Sequence, residues 1–368
     1  ALTYDSVTID GVTYPSIWIG AQKWVAANFA DTLGGSIPYV ENQAAWSALT
    51  TSGYTYYNAG VDPIECVNGY LYNFWAAEEI NAYLVSIGSL YRLPVPDDLN
   101  ELANYLGGAS VAGGKLKSAN PTLLTHWNTP NTGADNSSGF SAVGAGIRSS
   151  LGIYSAILNI SYFWQNLVLT PTNSSAYQLA NSAASISTAV SQDKNNGFSV
   201  RLVIPSVKVT IAFSGPCAGT NTVTATGEDS GITDTGTSGF VINVRNGENV
   251  IISATPDSPC VVGSINVTSG VGDVDDILGG ALVYNFSDAI TITVEFTNPV
   301  TPTGCDPCTF SELNTVDYTY GQVTVNSVCY PTLEIGNLEV TTYNLTIRDL
   351  STLFPSVPFI TTDTAWTN

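Results

Sequence analysis

Six aromatic- and glycine-rich motifs follow one another between Val7 and Val203, and they constrain the fold more than any other feature of this sequence. In chain order they are IGAQKW, NGYLYNFWAA, YRLPVPDDLNEL, AGGKLKS, SGFSAVGAGIR and NNGFSVRLV. Each joins aromatic or apolar residues to Gly, Asn or Pro, the residue types that form turns. No single motif is diagnostic, but their succession is a strong signal for one domain over residues 1–206.

The types and order of these motifs resemble the Fibrobacter succinogenes major paralogous domain family over residues 7–203. That family is similar to the C-type-lectin-like and formylglycine-generating-enzyme folds, and it is found on secreted or surface proteins and in phage genomes. The resemblance implies an α+β C-type-lectin-like domain with a display or binding role. The cysteine chemistry of the formylglycine-generating relatives does not carry over, because Cys66 has no partner thiol in this region.

Local patterns add detail to residues 1–206. Residues 7–9 and 12–14 alternate between apolar and polar side chains on either side of Asp10-Gly11, and this pattern predicts a hairpin. Residues 97–106 predict a helix that starts at acidic residues and stops at Gly107-Gly108, and a second helix is expected over residues 71–84. The last motif is expected to return beside the N-terminal strands.

The remaining sequence predicts an all-β second half. Alternating segments at residues 207–213, 240–244, 249–254 and 290–296, separated by Gly, Asn and Asp, predict an immunoglobulin-like β-sandwich over residues 207–298. Residues 299–304 are a predicted linker. Residues 299–368 are expected to be a β-rich anchoring or assembly segment, with strands at 322–325 and 343–347. Its apolar end, residues 350–368, is expected to bury itself against a partner or against the sandwich.

Charge limits the classes of partner. The chain has 10 Lys and Arg against 30 Asp and Glu, a formal net charge of −20, and only 11% charged residues. Nucleic acid is not expected as a partner, because phosphate binding needs clustered Lys and Arg. The sequence has no apolar run long enough for a membrane-spanning helix, so membrane insertion is not expected. No signal peptide is visible in the sequence, and the small residue Ala1 fits either signal cleavage or removal of an initiator Met.

Six cysteines indicate an oxidising destination. Cys217 and Cys260 each follow Pro at the edge of a strand pattern, so we predict a disulfide between them. Cys305 or Cys308 with Cys329 is a weaker prediction of the same kind. His126 is the only His, so a zinc site is not expected, and no cofactor is predicted. The acidic run at residues 273–276 could hold a hard cation through oxygen ligands, but a solvated acidic turn is the preferred interpretation.

The candidate ligand-binding residues lie between the last two motifs, where the resemblance implies ligand-facing loops. Tyr and Asn give contact area and adaptable hydrogen bonds. The residues predicted to bind ligand are Tyr154, Asn159, Tyr162, Gln165 and Tyr177. Trp164, in the same stretch, is expected to be packed in the core. Catalysis is not favoured, since the acidic residues near Asp97 are better explained as the start of a helix.

The leading functional hypothesis is a non-enzymatic display protein on a phage virion surface, such as a head fibre, a spike or a receptor-binding decoration. It would assemble with copies of itself and with other virion or surface-assembly proteins, and its lectin-like domain would contact a host-surface glycan or protein. The alternative is a processed bacterial cell-surface adhesin or filament subunit. The third hypothesis, from another class, is a glycan-active enzyme.

Overall fold

The computed structural model describes residues 2–57, 68–119, 126–217, 220–277 and 280–298, together with three strands of the C-terminal segment. The chain divides into two compact units. The first comprises Ala1–Gly215, Gly219–Asp257 and Val262–Phe296, and the second comprises Pro216–Ala218, Ser258–Val261 and Thr297–Asn368. The fold is β-rich with few helices.

Residues up to 206 contain short strands and helices that alternate along the chain. The helices are α1 (Gln43–Ser47), α2 (Phe74–Ser86), α3 (Pro96–Tyr105) and α4 (Ala109–Leu116). The strands are β1 (Asp5–Ile9), β2 (Val12–Ile19), β3 (Gln22–Val25), β4 (Tyr54–Thr55), β5 (Leu71–Tyr72), β6 (Ile147–Arg148), β7 (Tyr154–Ser155), β8 (Ile160–Val168), β9 (Asn173–Ala180), β10 (Ile186–Asp193) and β11 (Val203–Ile204).

The N-terminal hairpin and the returning last motif are both confirmed. Ile9 pairs with Val12 across a turn in which Asp10 and Gly11 have φ of 46° and 83°. Only Gly, Asn and Asp adopt such angles at small cost, which is why this dipeptide marks the turn. β11 closes the sheet β1-β2-β3-β11, with Val203 opposite Trp24. The two ends of the motif series therefore lie in one sheet.

Helix α3 forms where the sequence predicts it. Pro96 opens the helix, and the carboxylate of Asp98 accepts a hydrogen bond from the amide of Val95 at 2.7 Å. Asp98 also binds Arg92 through two hydrogen bonds of 2.7 and 3.0 Å, so its carboxylate is fully used in holding the helix start. Leu99 and Leu102 are buried on the inner face.

Helix α2 begins later than predicted. The side chain of Asn73 accepts a hydrogen bond from the amide of Ala76 at 3.0 Å, which caps the helix at its start. The two residues before it, Leu71 and Tyr72, form strand β5 instead, paired with β4. The helical pattern in the sequence did not reveal this strand, because its residues are buried on both faces.

The segment between Arg148 and Gly197 is mostly a sheet, which corrects the expectation of ligand-facing loops. Strands β8, β9 and β10 form an antiparallel sheet of order β10-β9-β8. Phe163, Trp164 and Gln165 are buried in succession on β8, so the period-2 alternation of a half-buried strand is absent. Trp164 is fully buried, as predicted, and donates a hydrogen bond to the carbonyl of Tyr72 at 2.8 Å.

The described residues from 207 to 298 form two sheets with the alternating burial of a β-sandwich, as the sequence predicts. One sheet has the order β15-β12-β20-β17 and the other β14-β13-β16-β19-β18. These strands are β12 (Val207–Ser214), β13 (Thr222–Gly227), β14 (Thr233–Gly236), β15 (Phe240–Val244), β16 (Val250–Thr255), β17 (Val261–Ser269), β18 (Asp273–Ile277), β19 (Gly280–Tyr284) and β20 (Ile290–Thr297). Alternate residues such as Ile211, Ile252, Val283 and Val294 are fully buried.

The second unit contains a disulfide between Cys217 and Cys260, whose Cα atoms lie 5.7 Å apart. This is the pairing expected from the sequence. The same unit contains an antiparallel sheet of β21 (Tyr320–Val325), β22 (Val328–Ile335) and β23 (Leu338–Thr341). The predicted linker, the strand at 343–347, the apolar end and the thiols of Cys305 and Cys308 lie outside the described residues.

Candidate ligand-binding face

Four tyrosines from separate segments pack together, and we call them the tyrosine cluster: Tyr39, Tyr54, Tyr56 and Tyr70. Tyr54 and Tyr56 lie two residues apart on an extended segment, so their side chains share a face. The ring centroid of Tyr70 lies 4.7 Å from that of Tyr54 and 4.8 Å from that of Tyr56. Tyr39 lies 5.5 and 5.4 Å from the same two rings. Each ring therefore contacts at least two others.

The cluster runs from the core to the solvent. Tyr54 is buried and lies 6.2 Å from the fully buried ring of Tyr72. Tyr56 and Tyr70 are half-buried, while Tyr39 is 41% exposed. A ligand at this surface would meet aromatic faces that are already ordered by packing, so little side-chain entropy would be lost on binding.

Three phenols of the cluster have a raised pKa. Burial, followed by the hydrogen bond with Tyr56, raises the pKa of Tyr54 to about 12. Burial also raises the pKa of Tyr39 and of Tyr70. These three hydroxyls therefore keep their protons at neutral pH, and each can both donate and accept a hydrogen bond.

A buried guanidinium fixes the segments that carry the cluster. Arg148, on β6, is fully buried, and its Nη1 and Nη2 donate hydrogen bonds to the carbonyls of Val40 and Glu41 at 2.5 and 2.6 Å. Its Nε donates to the carbonyl of Gly152 at 3.3 Å. The residue after Tyr39 and the loop before β7 are thereby joined through one side chain.

Arg148 also connects the cluster to Tyr154. The guanidinium carbon lies 4.4 Å from the ring centroid of Trp46 and 4.8 Å from that of Tyr154. The hydroxyl of Tyr154 lies 2.6 Å from the Thr55 hydroxyl, and its ring lies 5.4 Å from that of Tyr57. We call the tyrosine cluster together with Tyr57 and Tyr154 the tyrosine face.

The five predicted ligand-binding residues do not form one site. Tyr154 belongs to the tyrosine face. Asn159 is half-buried and accepts a hydrogen bond from the side-chain amide of Asn128 at 3.1 Å. Tyr162 is half-buried and stacks on Phe198 at 4.8 Å.

Gln165 and Tyr177 are fully buried, which removes them from any surface for a ligand. The amide of Gln165 donates to the carbonyl of Thr188 at 2.9 Å, and its oxygen accepts from the Ser175 hydroxyl at 2.7 Å. The ring of Tyr177 stacks on Phe163 at 4.7 Å. Both side chains support the sheet of β8, β9 and β10.

The sequence patterns did not predict a site at Tyr39, Tyr54, Tyr56, Tyr57 and Tyr70. A local signal existed in the run Tyr54-Thr55-Tyr56-Tyr57, which is unusually rich in one aromatic residue. The other members of the cluster are distant in sequence. Only the tertiary structure brings them together.

A hydrolytic site is not favoured by the geometry around the only histidine. Nδ1 of His126 lies 2.5 Å from the hydroxyl of Ser118. Ser118 is only 4% exposed, so its hydroxyl offers no room for a substrate carbonyl. Burial lowers the pKa of His126. We interpret the pair as a hydrogen bond within the protein.

The described residues contain no group of three or more His, Cys, Asp or Glu side chains placed to hold a metal ion. None of the helices described is both long and apolar enough to cross a membrane.

Residues 17–204, just over half of the chain, match the Fibrobacter succinogenes major domain, and the chain belongs to that family. No curated protein matches it. Among solved structures, it is similar to a Mobiluncus mulieris adhesin with intramolecular disulfide, isopeptide and ester bond cross-links, at 8% identity and a TM-score of 0.23, covering 35% of this chain and 60% of the adhesin. It is also similar to the major pilin T-13 of Streptococcus pyogenes, at 12% identity and a TM-score of 0.18, covering 38% of this chain and 61% of the pilin. Likeness of this degree establishes neither a common fold nor a common function.

Proposed function

We propose that this protein is an exported, non-enzymatic surface protein that adheres to a neutral glycan or protein ligand through the tyrosine face. The supporting observation is a surface of packed, uncharged tyrosines held by one buried arginine. Aromatic faces stack on the apolar faces of sugar rings and on protein side chains, and the adjacent phenols supply hydrogen bonds. Tyrosine combines both properties with few rotatable bonds, so ordering it costs little entropy.

A final location outside the cytoplasm is supported by the disulfide between Cys217 and Cys260. The cytoplasm keeps thiols reduced, and disulfides persist on cell surfaces and on virion surfaces alike. The bond therefore does not separate the cell-surface hypothesis from the virion hypothesis. Neither the fold nor the comparisons favour the virion hypothesis. We therefore prefer the cell-surface adhesin or filament subunit.

The roles that we propose for the three parts of the protein follow their order along the chain. Residues 1–206, for which we propose the C-type-lectin-like fold implied by the family, would carry the binding face. The β-sandwich would act as a spacer, and residues 299–368 would attach the protein to its assembly. Self-association with other copies forms part of this proposal.

Binding can be tested with an array of neutral and anionic oligosaccharides. We expect the unmodified protein to bind neutral members, and Tyr39→Ala to weaken binding by at least about 30-fold, the effect of a hot-spot residue. Tyr105→Ala is the matched control, because Tyr105 is 63% exposed on α3 and lies outside the face. Equal binding by both variants would exclude the tyrosine face. Release of sugar fragments from the array would favour the enzymatic hypothesis.

A further inference from the structure

Strand β17 is the last strand of its sheet, so alternate backbone N–H and C=O groups point away from the neighbouring strand β20. The strand spans nine residues, Val261–Ser269, none of which is charged or Pro. Val262 is 37% exposed. A long, uncharged edge of this kind is a template for pairing with another strand.

The other three edges of the sandwich are protected. β18 carries Asp273, Asp275 and Asp276, and β14 has only four residues, one of them Asp234. β15 lies beside α3: the side chain of Asn243 forms a hydrogen bond with the carboxyl group of Glu101, and both residues line the same cavity. Charge, short length and cover by a helix are the usual means of preventing edge pairing. Among the described strands of the sandwich, β17 is the edge that has none of them.

We propose that β17 pairs antiparallel with β17 of a second copy of this chain, around a two-fold axis at Ile265. This inference deepens the self-association included in the proposed function by naming its surface. It does not depend on the ligand of the tyrosine face, which lies on other elements.

The strand is complementary to itself in this register. A two-fold axis at Ile265 places Val262 opposite Thr268, and Ser264 opposite Asn266, in the partner strand. No charged residue lies opposite another in this pairing. Each facing pair consists of residues with apolar, hydroxyl or amide side chains, or of Gly. The carboxylate of Glu295, on the neighbouring strand β20, already accepts a hydrogen bond from the Ser264 hydroxyl at 3.1 Å.

Electrostatics favours the same surface. Two copies with a formal net charge of −20 each repel one another, so the approach has the lowest cost where acidic residues are absent. A strand donated by another protein would require an uncharged β-strand of comparable length. A second β17 has that composition, and the isologous pairing closes at two copies.

Charges introduced at two facing positions of β17 test both the proposed surface and the antiparallel register. The double variant Val262→Lys/Thr268→Lys places lysine opposite lysine twice, and Val262→Glu/Thr268→Glu places glutamate opposite glutamate. Both positions are exposed, so each variant should fold. Mass in solution is measured for the full chain of 38.7 kDa, for each variant and for their equimolar mixture.

We expect the unmodified protein to dimerise, and each double variant to raise the dimer dissociation constant at least about tenfold, because like charges placed opposite one another oppose association. The equimolar mixture should restore the dimer, because in a mixed dimer every introduced lysine lies opposite an introduced glutamate. Thr233→Lys/Thr235→Lys on β14 is the matched control, with exposed threonines on another edge, and should remain dimeric.

Each result that differs from these expectations would overturn a different part of the proposal. A monomeric unmodified protein at high micromolar concentration would overturn self-association as a whole. A dimer that survives both double variants would overturn only the β17 surface. Dissociation of the variants without rescue on mixing would overturn the antiparallel register. Oligosaccharide binding by the monomeric variants would still report on the tyrosine face.

Discussion

The guanidinium of Arg148 lies 4.8 Å from the ring centroid of Tyr154, although β6 and β7 each contain only two residues. So short a pair of strands cannot order a half-buried aromatic residue through its ladder alone. Arg148 contributes to the ordering, together with Thr55 and Tyr57, and is itself fixed from its other side by Trp46 and by three carbonyls. Stability and the proposed binding thus depend on one side chain in common.

Replacing Arg148 by Lys should therefore lower both. Lysine keeps the charge but cannot reproduce the planar fork that stacks on two rings and donates to separate carbonyls. We expect the free energy of unfolding to fall by about 2–4 kcal/mol, because buried acceptors lose their donors. Urea denaturation measures this. Arg245→Lys is the control: Arg245 also covers a ring, Trp18 at 4.7 Å, but is half-exposed, and should lose less than about 1 kcal/mol. Equal losses would refute the scaffold role.

The disulfide should stabilise the oxidised protein. Cys217 and Cys260 are separated by 43 residues, and closing such a loop contributes about 3–4 kcal/mol in the chain-entropy model. Dithiothreitol should lower the denaturation midpoint of the unmodified protein. It should have no such effect on Cys217→Ser/Cys260→Ser, which controls for the other thiols. Two free thiols at these positions in the unreduced protein, found by mass spectrometry, would contradict the prediction.

The sequence could predict elements whose signal is local. The turn at Asp10-Gly11, the acidic start of α3 and the alternation of β12 and β20 each depend on a few neighbouring residues. The structure places all of them as expected. Turn chemistry, capping and period-2 burial act over short stretches of chain, so one sequence contains them.

The candidate site could not be predicted in the same way. Gln165 resembles a surface residue in sequence, yet it is buried because Ser175 on β9 and Thr188 on β10 satisfy its amide. The tyrosine cluster joins Tyr39 to Tyr70 through tertiary contacts that no local pattern contains. Burial of a polar residue depends on partners, and partners are a property of the fold.

Lys117 should make stability depend on pH. Its side chain is fully buried, and Nζ donates to the carbonyls of Thr132, Ala180 and Ala183 at 3.0, 2.9 and 2.8 Å. Burial lowers its pKa from 10.5 to about 8. Between these two values the unfolded chain binds more protons than the folded one, so the free energy of unfolding rises as the pH rises.

We expect this rise between about pH 8 and 10, because above pH 10 unfolded tyrosines begin to lose protons and act in the opposite direction. Urea denaturation at several pH values measures the slope. Lys117→Met should be less stable throughout, since three carbonyls lose a donor, but its slope in this window should be smaller. Parallel slopes for the two proteins would show that Lys117 does not titrate there.

Two fully buried tyrosines should respond in opposite ways to loss of the hydroxyl. Tyr72 donates a hydrogen bond to the carbonyl of Asp31 at 2.8 Å and accepts one from its amide at 3.0 Å. Within the described residues, the hydroxyl of Tyr177 has no hydrogen-bond partner. Burial raises the pKa of both phenols far above its usual value, so both are neutral.

Tyr72→Phe should therefore lower the free energy of unfolding by about 1–3 kcal/mol, because two buried backbone groups lose their partner. Tyr177→Phe should leave it unchanged or raise it by about 1 kcal/mol, because an unsatisfied polar group is removed and the stacking on Phe163 is kept. Urea denaturation of the two variants side by side is the measurement, and each is the other's control for removing one oxygen. A loss at Tyr177 as large as that at Tyr72 would mean that its hydroxyl is hydrogen-bonded in solution.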